Sequence, residues 1–476
     1  MNLAVWPPRY DATWVPAPDA EYWLSDVECA DPSERDELIL AKLRAQVRYA
    51  WERSPFYRRR WEAAGVSPAT LTSLADLARF PVVHKTDLRA AQAAAPPFGD
   101  YLCVEPGEVA RIHRSAGSAG SPSVFGIGSA DWERIGEAHA RILWGAGLRP
   151  EDRILVCAPF GARLEAWAVV KGIERLGATL LPCGAGQPEG PLAAVGWARE
   201  LRPTAFHGTP SFALHLAEVA QREGIEARAL GFRTLILSGE PGAGLAGTRR
   251  RLEEAFGGTC IDMGSMAAMS PWMTNAECRH RTGMHLWQDL VYTQVCDPDT
   301  FDPVPFGADG TPVYTHLERT SQPMIRLVSG DRTRWTDAPC PCGRTYPRLP
   351  EGLAGRIADA VGVGGRRVYP SAIEDALRAI AGFGGAFHVI VSRQDAMDAL
   401  LVRAEHAAPV AGRDSLDRLR ARMLDALRAS LGVPSVVELV PEGTLPRGPL
   451  VTRVIDDPEL YRAILGRAVP SEPRAF

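Results

Sequence analysis

A chain of 476 residues exceeds one compact core and is long enough for roughly two or three domains. Its 46% hydrophobic and 23% charged residues fit a globular protein and exclude a disordered tail or a disulfide-stapled miniature. A formal net charge of −4 supplies no basic field, so no nucleic-acid partner is expected.

Lysine is scarce: Lys42, Lys85 and Lys171 are the only three among 53 basic residues. Chemistry late in the chain must therefore rely on arginine. The nine cysteines are odd in number and scattered. The start, Met1 to Pro8, lacks a basic segment followed by an apolar run, and no run approaches a membrane span. A reducing cytoplasm is expected, without export or membrane contact.

Residues 1–105 read as a helical lead-in. Asp31, Pro32 and Glu34 supply a cap, a first-turn proline and a carboxylate at the third helical position. Leu40, Leu43, Val47 and Trp51 follow at helical spacing. Pro81 to Asp87 reads as a turn into another helix.

From residue 110 to 245, short apolar runs (153–158, 178–182, 205–208, 234–238) alternate with helical stretches (166–176, 211–223). That alternation predicts βαβ units and a mostly parallel sheet, with ligands beyond the carboxyl ends of its strands. Residues 286–335 carry short strands. After Gly355 a small α/β pattern begins, with helices over 371–380 and 414–431 and strands over 388–392 and 435–440. The expected division is 1–354 and 355–476.

The chemistry-bearing segments lie in loops. His113 to Ser123 holds Ser115, Gly117, Ser118 and Gly120, small residues whose backbone and hydroxyls suit phosphate oxygens. It lacks a Walker lysine, and alone such a loop is more often a plain turn. Ser238-Gly239-Glu240-Pro241 follows a strand, and Met324 to Asp331 places an acid after an apolar run. Gly355 to Asp359 precedes Val368 to Glu374, while Ser54 to Tyr57 and Leu445 to Arg447 bound the set.

In this order the segments resemble the adenylate-forming superfamily, most closely its phenylacetate–CoA ligase branch. Glu277-Cys278, Gly283 to Asp289 and Pro339 to Arg344 carry much of that likeness. The resemblance implies an α/β fold: a large N-terminal domain with βαβ sheets and a smaller, mobile C-terminal α+β domain. It also implies an ATP-dependent ligase. A small aromatic carboxylate attacks the α-phosphate to give an acyl-adenylate, and CoA, an amine or a hydroxyl then displaces AMP. Magnesium is the metal that the family uses on the phosphates, and a homodimer is the expected assembly.

By position, Ser115, Gly117, Ser118 and Gly120 would form the phosphate loop. Ser238, Gly239, Glu240, Pro241, Gly264 and Ser265 would flank the nucleotide, and Asp331 would accept from the ribose hydroxyls. Arg344 and Arg356 would lie near the nucleotide or the hinge. The acyl pocket would draw on Phe160, Gly161, Met263 and Trp272, with His207 as base or carboxylate partner.

The chain also departs from the family. The glutamate that helps hold magnesium should stand near Ala267 or Ala268, and the late lysine should follow Leu445-Pro446-Arg447. Neither is present, which leaves Arg447 and Arg453 as the late cations. These departures admit two other readings: acyl transfer or condensation without adenylation, and a non-catalytic nucleotide- or acyl-binding protein.

Cys340-Pro341-Cys342 is a tight thiol pair, with Cys278 and His285 upstream. Three cysteines and one histidine have the composition of a closed, structural zinc site. Some members of the resembling branch carry these positions. The plainer reading is buried thiols and a core histidine. His280 is the alternative ligand.

Overall fold

The computed structural model describes residues 5–115, 122–184, 190–240, 242–271, 273–392, 397, 399–410, 412–446 and 454–468. The chain divides into two compact units, residues 1–239 with 252–353, and residues 240–251 with 354–476.

In the first unit, the Asp31 carboxylate accepts from the Ser33 amide at 2.9 Å and caps the helix Pro32–Arg53. Pro32 occupies the first turn, where no amide donor is needed. Ile39, Leu43 and Val47 share one buried face and pack with Tyr57 and Trp61 of the helix Pro55–Ala63.

Strands β1 (Val109–Arg114) and β2 (Val124–Gly128) pair antiparallel around the Gly/Ser segment. The βαβ region supplies β3 (Arg153–Cys157), β4 (Thr179–Pro182), β5 (Ala205–Gly208), β6 (Thr234–Leu237) and β7 (Thr259–Gly264). These five run parallel in the order β7-β6-β5-β3-β4. β8 (Asn275–Glu277) and β9 (Met284–Leu286) extend the sheet antiparallel beyond β7. β10 (Val291–Cys296), β11 (Asp309–His316), β12 (Leu327–Val328) and β13 (Thr333–Arg334) form a smaller sheet around β11. β14 (Arg348–Leu349) returns to pair with β9.

The helices Ser129–Gly145 and Leu164–Leu176 cover the parallel sheet. Their Ile135, Ile142, Leu143, Val169 and Ile173 meet Ile154, Val156, Ile236 and Ile261 from the strands. Each such side chain contributes about 1.5–3 kcal/mol through burial. The unbroken apolar run of β3 is what a strand buried on both faces requires.

The second unit has a hairpin (Val361–Val363 with Arg366–Val368) and a sheet of Phe383–Val391, Leu400–His406, Ser435–Pro441 and Val454–Asp456. Helices Pro370–Arg378 and Arg413–Leu431 bury Ile373, Leu377, Leu419, Met423 and Leu427 against it. The strand Leu400–His406 is an addition to the sequence-based expectation. Among the described residues no helix is long and apolar enough to cross a membrane.

Candidate functional site

The loops beyond the carboxyl ends of the parallel strands hold several of the singled-out residues. After β3, Gly161 takes a φ of 86°, which its lack of a Cβ permits, and its carbonyl accepts from Trp167 Nε1 at 2.8 Å. Phe160 meets Trp167 edge-on, with ring centroids 5.3 Å apart. After β6, Ser238 is buried and its amide donates to the Gly208 carbonyl at 3.1 Å. Gly239 then turns the chain and Glu240 begins a segment of the second unit. Pro241 and Trp272 lie outside the described residues.

Ser115 and Ser123 close the neck of the Gly/Ser segment. The Ser115 amide donates to the Ser123 carbonyl at 2.9 Å, and the Ser123 amide donates to Ser115 Oγ at 3.0 Å. Gly117, Ser118 and Gly120 lie outside the described residues. In the first turn of the helix after β2, Asp131 accepts from the Thr320 and Ser321 amides at 2.9 and 2.6 Å. Burial alone would raise its carboxyl, but Arg319, Arg134 and these donors hold it down at about 2. The Gly128 amide donates to Ser321 Oγ at 2.7 Å, so this clamp also fixes the end of β2.

At the end of β7 the alternation of the strand decides which side chains face where. Met263 lies with Ile261 in the helix-covered core. Gly264 pairs with Asn275 of β8, and the buried Ser265 hydroxyl has no partner among the described residues. The Asp262 amide donates to Glu277 Oε2 at 2.9 Å. A Cβ on Gly352 would stand 3.1 Å from Asp262 Oδ2, and the Thr333 hydroxyl donates to the Gly352 carbonyl at 2.7 Å. Asp331 sits just before that threonine, 7% exposed, its amide donating to Ser329 Oγ at 2.9 Å. The acid after the apolar run is thus held at a strand end, in a turn fixed on both sides.

Three of the expected site residues lie in different surroundings. His207, in β5, is 2% exposed; burial, with His139 as a weaker cause, pushes its imidazole down to about 4, so it is neutral. Arg344 is 4% exposed and donates from Nε to Glu28 Oε2 at 2.8 Å, with Tyr22 and Trp287 against its guanidinium. That buried pair gives its guanidinium a structural partner. Arg356 is exposed in the second unit. Arg447 and Arg453 lie outside the described residues.

Cys278, His285, Cys340 and Cys342 converge, all four buried, with one ligand atom from each inside a 4.8 Å span. Cys278 Sγ lies 3.8 Å from Cys340 Sγ, and Cys342 Sγ lies 3.4 Å from His285 Nε2. A tetrahedral zinc with bonds of about 2.3 Å to sulfur spaces its thiolates at about 3.8 Å, so the donor set fits. His280 is exposed and outside the group. Two supporting residues escaped the sequence reading. The Thr282 hydroxyl reaches Cys340 Sγ at 3.1 Å, and Arg348 holds the turn before Cys340 by donating to the Ala338 carbonyl at 2.8 Å. Position inside the Cys278–His285 gap is the only signal that marks Thr282; none marks Arg348.

Residues 365–458 match the AMP-binding enzyme C-terminal domain. Over 432 residues the chain is 32% identical to phenylacetate–coenzyme A ligase of Thermus thermophilus, across 87% of this chain and 95% of the relative. The chain belongs to the phenylacetate–coenzyme A ligase family. The Escherichia coli enzyme of that name is 29% identical over 429 residues, across 89% of this chain and 95% of that one. Among solved structures, 2-hydroxyisobutyryl-CoA ligase in the postadenylation state, in complex with an acyl-AMP, shares 48% identity and a TM-score of 0.94. That match covers 97% of this chain and 98% of the other. As a member of this family, the protein is an acyl-adenylate-forming CoA ligase of mixed α/β architecture, with ATP and CoA as its small-molecule partners.

Proposed function

We propose that this ligase activates a short, hydroxylated carboxylic acid and passes the acyl group to CoA. The observation that carries this reading is polar and buried. Beyond β7, the hydroxyls of Ser270 and Thr274 and Oδ1 of Asn275 are enclosed without a partner among the described residues. An unpaired buried polar atom costs about 1–3 kcal/mol, which a substrate hydroxyl at that place recovers. The 48% likeness to a ligase named for a hydroxy acid supports the same class. An aromatic acid is the second reading, favoured by the names of the phenylacetate ligases and by Phe160 beside Trp167.

In this reading Asp331 accepts from both ribose hydroxyls, a charge-assisted contact that fixes the nucleotide. The Ser115–Ser123 neck presents the phosphate loop, and Arg447 and Arg453 supply the late positive charge in place of lysine. The Ala267–Met269 turn offers no carboxylate for magnesium. Cys278, His285, Cys340 and Cys342 hold a structural zinc that pins the segment after β8 to the turn before β14. The enzyme belongs in the cytoplasm, where such thiols stay reduced.

The test is acyl-CoA formation from paired acids, one carrying a 2-hydroxyl and one lacking it. A preference of tenfold or more for the hydroxylated member, lost in Asn275→Leu, is expected. Equal rates for both, or a preference for phenylacetate, would turn the choice to the aromatic reading.

A further inference from the structure

Two cysteines outside the zinc set face each other at the carboxyl end of the sheet. On the parallel strands β3 and β4, Val156 pairs with Pro182, so Cys157 and Cys183 fall side by side one position on. The ladder continues there, because the Cys183 amide donates to the Val156 carbonyl at 3.0 Å. The same residue parity puts both side chains on one face of the sheet. Each thiol shifts the other, Cys157 well above and Cys183 below the ordinary thiol value. Cys157 is buried and Cys183 is half-buried. Neighbouring strands run about 4.8 Å apart, within the Cα separation of about 4.4–6.8 Å that a disulfide spans.

We propose that Cys157 and Cys183 form a reversible redox site, a vicinal dithiol that a peroxide oxidises to a disulfide. Cys183 is the attacking thiol, since it is the more accessible and the neighbouring Cys157 lowers it from the ordinary thiol value. Its sulfur bonds to one peroxide oxygen as the O–O bond breaks and hydroxide leaves, giving a sulfenic acid. The Cys157 sulfur then displaces the second oxygen as water and closes the S–S bond. Two thiols and one hydrogen peroxide thus become one disulfide and two waters, and a dithiol reductant reverses the exchange. In a reducing compartment a disulfide of this kind is transient and serves as a sensor.

The bridge tethers two neighbouring loops, since a Cβ built on Gly184 would stand 3.9 Å from the Phe160 ring. Its effect on turnover rests on the acyl-pocket reading above; its formation does not.

The chemistry places each cysteine alone in its tryptic peptide, Cys157 in 154–163 and Cys183 in 176–199. The full-length protein is treated with hydrogen peroxide, its remaining thiols are alkylated, and the digest is mapped by mass spectrometry without reductant. The two peptides should appear joined, lighter than their sum by two hydrogens. Dithiothreitol should separate them, and C183S should not form the joined species. Peptide 154–163 recovered with an alkylated Cys157 while Cys183 carries a sulfinic acid would overturn the proposal, as would both cysteines remaining alkylatable. Ligase activity should fall with cross-linking and return with dithiothreitol. Full activity in cross-linked protein would instead contradict the acyl-pocket reading and leave the redox site standing.

Discussion

Arg141 and Asp289 are locked together inside the first unit by two parallel hydrogen bonds, Nη1 to Oδ2 at 2.6 Å and Nη2 to Oδ1 at 3.1 Å. Both are buried, and each has further partners. Glu28 Oε1 accepts from Arg141 Nε at 3.2 Å, and the Asp289 backbone carbonyl accepts from Lys42 Nζ at 2.9 Å. The pair therefore ties the helical lead-in to the strands that carry the cysteine cluster.

Removing Asp289 leaves the buried Arg141 charge with only Glu28, which Arg344 shares. Asp289→Ala should destabilise the protein by about 3–5 kcal/mol. Asp309→Ala, which breaks half-exposed pairs with Arg332 and Arg334, should cost less than about 1 kcal/mol. Denaturant melts of both variants check the contrast.

Purified protein never exposed to chelator should carry about one zinc per chain. Cys342→Ser should lose that metal and lower the melting temperature, with the affinity for AMP little changed, because the role assigned is scaffolding. Elemental analysis read beside thermal melts and nucleotide titration decides it.

Acid should unfold the protein earlier than its carboxylates alone would dictate. Burial pushes His139 and His207 down to about 4 and His316 down to about 3. The folded state keeps these rings neutral, whereas the unfolded chain takes up protons below about 6.5. Stability is thus complete above about 6.5 and drains away as pH falls toward 4, by on the order of 3 kcal/mol for His207. Melting temperature against pH should fall across that window, and His207→Gln should flatten the slope relative to the parent.

Asp331→Ala should weaken AMP binding by about 10- to 100-fold, the loss of charge-assisted contacts worth roughly 1.5–3 kcal/mol. Calorimetry on a variant with an unchanged melting temperature reads the contact directly.

The fold was legible where a local pattern is enough. The run at 153–158 became β3, the cap at Asp31 became a helix start, and Cys340-Pro341-Cys342 led to its partners because the spacing itself is chemical. Charged residues that are buried by distant partners were not legible. Glu405 interrupts the apolar pattern of Leu400–His406, yet it is enclosed and accepts from the Leu445 amide at 2.8 Å. Arg344 carries the usual mark of a ligand-facing cation, and only its distant partner Glu28 assigns it to the interior. Met263 shows the limit of motif position: neighbours in sequence follow opposite faces of a strand, and the face that it takes is the core.

The central claim is that this chain makes an acyl-adenylate although Ala267, Ala268 and the segment after Leu445 lack the family's glutamate and lysine. Acid-dependent exchange of labelled pyrophosphate into ATP, measured without CoA, tests it most directly. Exchange that appears only with the cognate acid, and that falls sharply in Arg447→Ala or Arg453→Ala, is the expected result. No exchange with any acid, from protein that still converts supplied acyl-AMP to acyl-CoA, would contradict it.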